Sequence, residues 1–219
     1  MIPEGYTPLT SDKGFLLLKI PQDIISDIKT TVDVVKNNFT TSSPANLQLA
    51  GQIDKEYHTT LEPNTTQYIR DVVDKYLDES PQFLNPLLHK FTKDPFVLSY
   101  RGDAWINFQE KYEYNPLHDH SGILSYVIWY HIPYHKEDEI KYGAGKGKQP
   151  HLNTNGNFEF FYNLNERIST TSLAIDKKME GYMAMFPSNL NHAVNPFYTS
   201  DDYRITLSGN IYLTPPTSP

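Results

Sequence analysis

His118 and His120, one residue apart in Asn115-Pro116-Leu117-His118-Asp119-His120-Ser121-Gly122, are the side chains on which chemistry would be built. In extended chain, alternate side chains share a face, so the two imidazoles converge while Asp119 turns away. A third imidazole, His192, follows the turn-rich Pro187-Ser188-Asn189-Leu190-Asn191 about 70 residues later, where a new strand is expected. Three ligands on one face of a metal leave the opposite positions open for a cosubstrate and oxygen, as a non-haem iron oxygenase requires. The chain has no cysteine. Thiolate sites, disulfides and cysteine nucleophiles are thereby excluded, and a metal must sit on His, Asp or Glu.

His-x-His alone carries little weight, because a chain with eight histidines will often place two of them so by chance, in the core or on the surface. What adds weight is Arg204, twelve residues after His192, in Asp202-Tyr203-Arg204-Ile205-Thr206-Leu207-Ser208-Gly209-Asn210. Alternation sets Arg204, Thr206, Ser208 and Asn210 on one face and Tyr203, Ile205 and Leu207 on the other. A barrel wall with a polar lining and an apolar outer face suits a cavity for a charged small molecule, and the guanidinium fork suits a carboxylate. The competing reading is a solvent-facing strand with an ordinary ion pair.

The elements that must hold these side chains fall into two groups. Near the N-terminus, Gly14 to Ile20 reads as a buried strand stopped by Pro21. Ile24, Ile25, Ile28, Val32 and Val35 then recur at helical spacing between Gln22 and about Phe39. A second helix is expected from Asn64, an N-cap after Pro63, to about Leu77, with the stripe Ile69, Val72, Val73, Tyr76 and Leu77. Beyond Pro95, strands are expected near 96–101, 104–109, 123–132, 157–163, 181–186, 191–195 and 203–212. The pattern predicts one domain over 1–219, mainly β with N-terminal helices. It divides into helical support over about 1–94, a β core over about 95–213 and a flexible flap over about 134–157. Gly143 to Lys148 resembles a phosphate loop only superficially, since the Ser/Thr ending, preceding strand and following helix are missing.

Composition narrows the function classes. A net charge of −7 with no concentrated basic patch argues against nucleic acid and anionic membranes as partners. With 38% hydrophobic and 21% charged residues the make-up is that of a soluble globular protein. No apolar run is long enough to span a bilayer, and the N-terminus lacks a basic leader with an apolar stretch, so a cytoplasmic location is expected.

In the order His-x-His, a strand ending in Tyr130, Phe186-Pro187, His192 and Arg204-x-Thr206, the chain resembles the 2-oxoglutarate- and iron(II)-dependent oxygenases. Segments such as Asn115-Pro116-Leu117-His118 and Phe197-Tyr198-Thr199-Ser200-Asp201 are similar to prolyl-hydroxylase-like members encoded by marine cyanophages. The resemblance spans roughly residues 95 to 213. It implies a double-stranded β-helix (jelly roll, cupin-like) whose iron, on His118, His120 and His192, binds the keto acid of 2-oxoglutarate. Arg204 would meet the distal carboxylate, helped by Thr206 and Tyr130, with Asn107 a looser candidate. Oxygen is consumed, succinate and carbon dioxide are released, and a small-molecule or peptide substrate is hydroxylated.

The usual family pattern is His-x-Asp or His-x-Glu, so His120 is a departure. A wholly histidine triad leaves iron(II) its double charge, which 2-oxoglutarate would neutralise. The same ligand set suits zinc enzymes and oxygenases that do not use 2-oxoglutarate. A backbone kink after Asn115-Pro116 would bring Asp119 inward instead of His120. From another class, a non-catalytic metal- or sugar-binding jelly roll would keep the histidines but not turn over 2-oxoglutarate. An isomerase or metal hydrolase on the same barrel would have no use for the Arg204 face.

Overall fold

The computed structural model describes residues 14–79, 97–99, 104–143, 146–147, 149, 152–164 and 166–214. Strand β1 (Leu16–Lys19) leads through Pro21 into helix α1 (Gln22–Lys36). The short strand β2 (Glu56–Thr59) precedes helix α2 (Pro63–Glu79). Both helices bury their predicted stripes: Ile24, Ile28, Val32 and Val35 on one, and Ile69, Val72, Val73 and Tyr76 on the other. Pro63 is the first helical residue of α2, where its missing N–H costs nothing, so the cap lies before it and not at Asn64.

Strands β3 (Val97–Ser99), β4 (Ala104–Gln109), β5 (Asn115–His118) and β6 (Leu124–His131) follow. After the one-turn helix α3 (Lys136–Glu139) come β7 (Phe158–Leu164), β8 (Arg167–Leu173), β9 (Tyr182–Pro187), β10 (His192–Val194) and β11 (Arg204–Thr214). One sheet has the order β1-β9-β6-β11-β4-β2, with β3 also on β11, and the other has the order β5-β10-β7-β8. All the pairings are antiparallel. This is the jelly roll of a double-stranded β-helix.

Alternation along the central strands divides the core in two. Leu124, Tyr126 and Ile128 of β6 and Ile205, Leu207 and Ile211 of β11 join α1 and α2 in one apolar cluster on the outer face of the large sheet. Val127 and Trp129 point the other way and meet Phe158, Phe160, Ala184 and Phe186 between the sheets. The outer cluster thus clamps the large sheet from behind, leaving its inner face to form a cavity wall.

The N-terminal segment is more than a helical support, since β1 pairs with β9 and β2 with β4 at opposite edges of the large sheet. Nor is the start of the 134–157 segment a free flap. Lys136 donates from Nζ to Asn153 O (3.0 Å), Asn155 O (2.7 Å) and Asn157 Oδ1 (2.6 Å). Glu139, fully buried, accepts from the backbone N–H groups of Tyr198 and Thr199. Those bonds hold both ends of the segment to the barrel, because a half-buried lysine and a buried carboxylate must find partners.

Candidate active site

Strands β5 and β10 pair with His118 directly opposite His192, which brings their rings to 4.2 Å between centroids. His120 lies two residues beyond His118, and its backbone N–H donates to Ser188 O at 2.8 Å, keeping the chain extended past the end of β5. Its ring is 5.0 Å from that of His118 and 4.9 Å from that of His192. One ring nitrogen from each histidine lies within 4.8 Å of the others. Asp119, between them, is exposed, so alternation and not a kink governs this segment. Gly122, at φ +102°, makes the turn into β6: a Cβ there would stand 2.6 Å from Ile211 O, so only glycine fits.

The donor set fits a divalent metal. His118 Nδ1 lies 2.6 Å from Pro116 O and His192 Nδ1 lies 2.9 Å from Leu190 O. With those carbonyls accepting from Nδ1–H, the Nε2 lone pairs are free for a ligand. Burial lowers the pKa of His118 and takes that of His192 well below the ordinary imidazole value. For His120, burial and the neighbouring His118 pull it down to about 4. All three are therefore neutral near pH 7, the form that binds metal. Phe158, stacked at 5.4 Å, and Phe186, at 4.9 Å, wall the His192 ring.

The triad borders a cavity of about 600 Å3, measured to its open mouth, which Trp105, Asn107, Trp129, Arg204, Thr206 and Ser208 also line. The predicted polar face of β11 is thus the inner one, and Asn210 on it accepts from Ser125 Oγ at 2.7 Å. Asn107 is the cross-strand neighbour of Thr206 and donates to its hydroxyl at 3.3 Å, while Asn107 Oδ1 is buried without a partner.

Arg204, 1% exposed, is engaged more fully than expected. Nε and Nη2 both donate to Gln109 Oε1 (3.0 and 2.6 Å), Nη1 donates to Tyr134 Oη (2.7 Å) and Gly156 O (3.0 Å), and Nη2 also donates to Asn195 O (3.0 Å). These bonds use all the guanidinium donors, yet every partner is neutral. A buried positive charge answered by dipoles alone still favours an anion in the cavity it borders.

Tyr130 lies elsewhere. It packs with the outer cluster, near Lys29 and Asp33 of α1, and the neighbouring Trp129 lines the cavity in its place. Strand parity decides this: counting by two from Val127 reaches Trp129, so Tyr130 must face the helices. The tyrosine that does touch Arg204 is Tyr134, whose phenol burial pushes upward in pKa. Gln109 was missed as well. It shares the parity of Asn107 and is therefore legible as inward-facing, but its pairing with Arg204 depends on register.

Residues 103–210 match the family model described as "Putative 2OG-Fe(II) oxygenase". No curated protein matches the chain by sequence. Among solved structures, a Pseudomonas putida prolyl-4-hydroxylase is similar at 11% identity and a TM-score of 0.51, over 94% of this chain and 95% of that one. A Trichoplax adhaerens prolyl hydroxylase, in complex with a hypoxia inducible factor oxygen degradation domain peptide fragment, gives 0.54 at 11% identity, over 92% of this chain and 84% of that one. At these identities the structures speak for the fold; the family model speaks for the chemistry. Since that match runs across all three histidines and on to Asn210, beyond Arg204, the chain is a 2OG-Fe(II) oxygenase, an enzyme whose cofactors are iron(II) and 2-oxoglutarate.

Proposed function

We propose that His118, His120 and His192 hold the iron, that Arg204, Thr206 and Asn107 receive 2-oxoglutarate, and that the enzyme hydroxylates a carbon of a small molecule or a peptide residue, prolyl among them. The observation that carries this reading is the convergence of three neutral imidazoles on the cavity that Arg204 and Thr206 also line. Iron(II) with 2-oxoglutarate and oxygen supplies an oxidant able to attack an unactivated C–H bond, releasing succinate and carbon dioxide.

The protein's own residues do the positioning. The Pro116 and Leu190 carbonyls hold two imidazoles in the tautomer that presents Nε2. Phe158, Phe186 and Trp129 exclude water from the back of the cavity. Arg204 offers the charge that a distal carboxylate needs, and Thr206 with Asn107 offers hydroxyl and amide groups beside it. The stretch between Tyr142 and Leu152, inside the bonded ends of the 134–157 segment, is the part proposed to cover a bound substrate.

A peptide substrate draws support from the Trichoplax neighbour, which holds a peptide fragment. No helix among the described residues is long and apolar enough to cross a membrane. A cytoplasmic site of action and a phage-encoded origin, the latter on the segments 115–118 and 197–201, belong to the same proposal.

Anaerobic mixing with iron(II) and 2-oxoglutarate tests the reading. A weak visible charge-transfer band should appear, and admission of air should give succinate even without substrate. Absence of both the band and any tightening of iron binding by 2-oxoglutarate would refute the proposed site.

A further inference from the structure

Among the described residues, four buried oxygens at the edge of the cavity have no hydrogen-bond partner: both carboxylate oxygens of Glu56, Asn107 Oδ1 and Asn115 Oδ1. Every one of them is an acceptor. Glu56 is 1% exposed and stands opposite Asn107 in the β2–β4 pair, hence on the face that looks into the barrel. Asn107 and Asn115 line the cavity itself, and so do Leu49, Ala50 and Ile53 of the segment that roofs it. Gly51, within that roof, marks how tightly the oxygens gather. A Cβ built on it would lie 2.7 Å from Asn115 Oδ1 and 3.1 and 3.2 Å from the two oxygens of Glu56.

An ionised carboxylate sealed in this way costs several kcal/mol unless a donor reaches it, and the two amide oxygens add to the deficit. Among the described residues, the charged neighbours do not supply that donor. Glu113 is a second carboxylate, bound to the backbone N–H groups of Asp54 and Glu110, and Lys55 is turned to Glu110 and the Tyr203 ring. What would satisfy the cluster is a small group made only of donors and carrying a positive charge. A primary ammonium has three N–H donors and no acceptor.

We propose that this corner of the cavity is a subsite for a primary ammonium group of the substrate, with Glu56 as its counter-ion and the side-chain carbonyls of Asn107 and Asn115 as further acceptors. The proposal rests on the cavity being the substrate site of the oxygenase and names the class of substrate: an amine-bearing molecule, such as an amino acid or a lysine-like side chain. Burial, with Glu113 nearby, pushes Glu56 up to about 7. In the empty site near neutrality the carboxyl therefore holds a proton for part of the time. Arrival of R–NH3+ beside it favours the carboxylate, and the carboxyl proton passes to solvent while the ammonium keeps its own three. Cation binding is thus an exchange for one proton at acid pH and for none well above neutrality.

The test is a calorimetric titration with n-butylammonium chloride and with 1-butanol, of matching shape but uncharged. It is run on the protein alone and on the protein loaded anaerobically with iron(II) and 2-oxoglutarate. The amine should bind at least about tenfold more tightly than the alcohol, as expected for a buried charge pair. At pH 6, buffers of different ionisation enthalpy should report proton release that disappears by pH 8.5. Glu56→Gln should lose that preference and the proton release while keeping the iron–2-oxoglutarate absorption band. Gly51→Ala, whose Cβ crowds the same oxygens, should weaken the amine likewise and decides the matter should Glu56→Gln melt below the assay temperature. Equal binding of alcohol and amine, an unaffected Glu56→Gln, or no amine binding beside a normal absorption band would each overturn the subsite and leave the oxygenase intact. A missing band with amine binding present would do the reverse.

Discussion

At the scale of single side chains, the three proposed ligands divide by how each is held. His118 and His192 face each other across a strand pair and are oriented by backbone carbonyls, whereas His120 is placed by chain extension and one backbone bond to Ser188. His120→Ala should nonetheless abolish tight iron binding as completely as His118→Ala, because two imidazoles alone hold iron(II) poorly. Asp119→Asn, at an exposed position, should leave metal affinity within a few-fold of the parent. Equilibrium dialysis against iron(II) decides, and a large loss in the Asp119 variant would make that carboxylate the ligand. Arg204→Ala should weaken 2-oxoglutarate by about 2–4 kcal/mol while binding of iron alone is kept. It also strands Gln109 Oε1 and the Asn195 carbonyl, while Tyr134 Oη and Gly156 O keep the bond between them, so its melting temperature must fall too. Unchanged 2-oxoglutarate affinity in a folded variant would free Arg204 from that role.

At the scale of elements, what the sequence reveals is set by how much burial each element carries. The stripes of α1 and α2, the alternation of β6 and β11 and the His-x-His spacing are all patterns that burial imposes, and the structure repeats them. Strand β2 is not legible: in Glu56-Tyr57-His58-Thr59 the deeply buried residue is a glutamate, the reverse of the usual signal. Strand β8, Arg167-Ile168-Ser169-Thr170-Thr171-Ser172-Leu173, is a polar edge with Ile168 83% exposed, held by its pairing with β7. The place of Tyr130 at a strand end suggests the cavity, whereas parity governs its face. The glycine-rich stretch reads as uniformly loose because composition says nothing of which residues receive a half-buried lysine. Removing residues between Tyr142 and Leu152 should leave the melting temperature nearly unchanged. A deletion running through Asn155 takes away two acceptors of Lys136 and should cost about 1–3 kcal/mol per group left unsatisfied. Denaturant melts of the two truncations distinguish them, and equal stability would show the lysine contacts to be dispensable.

At the scale of the whole molecule, stability and the site share the same groups. The proposed metal site is assembled from β5, the residue pair beyond it and β10, and has no counterpart in the unfolded chain. Saturation at about a hundred times the dissociation constant should therefore add about 2.7 kcal/mol, seen as a rise in melting temperature that any of the three His→Ala variants abolishes. The buried acid and the buried imidazoles pull the pH dependence in opposite directions. Lowered histidine values mean that the unfolded chain takes up protons that the fold refuses, so these groups make stability rise with pH. Glu56 does the opposite. Its folded value of about 7 stands above the ordinary 4.5, so between those limits the native state keeps a proton that the unfolded chain has lost. Its contribution is whole below about pH 4.5 and is lost as pH climbs through 7, by on the order of 3 kcal/mol at most. The difference between parent and Glu56→Gln isolates it, because the histidines are common to both. In metal-free protein the parent's advantage over the variant should shrink steadily from pH 4.5 to 7.5. A difference that is flat across that range would mean that Glu56 stays ionised in the fold and has found a donor there.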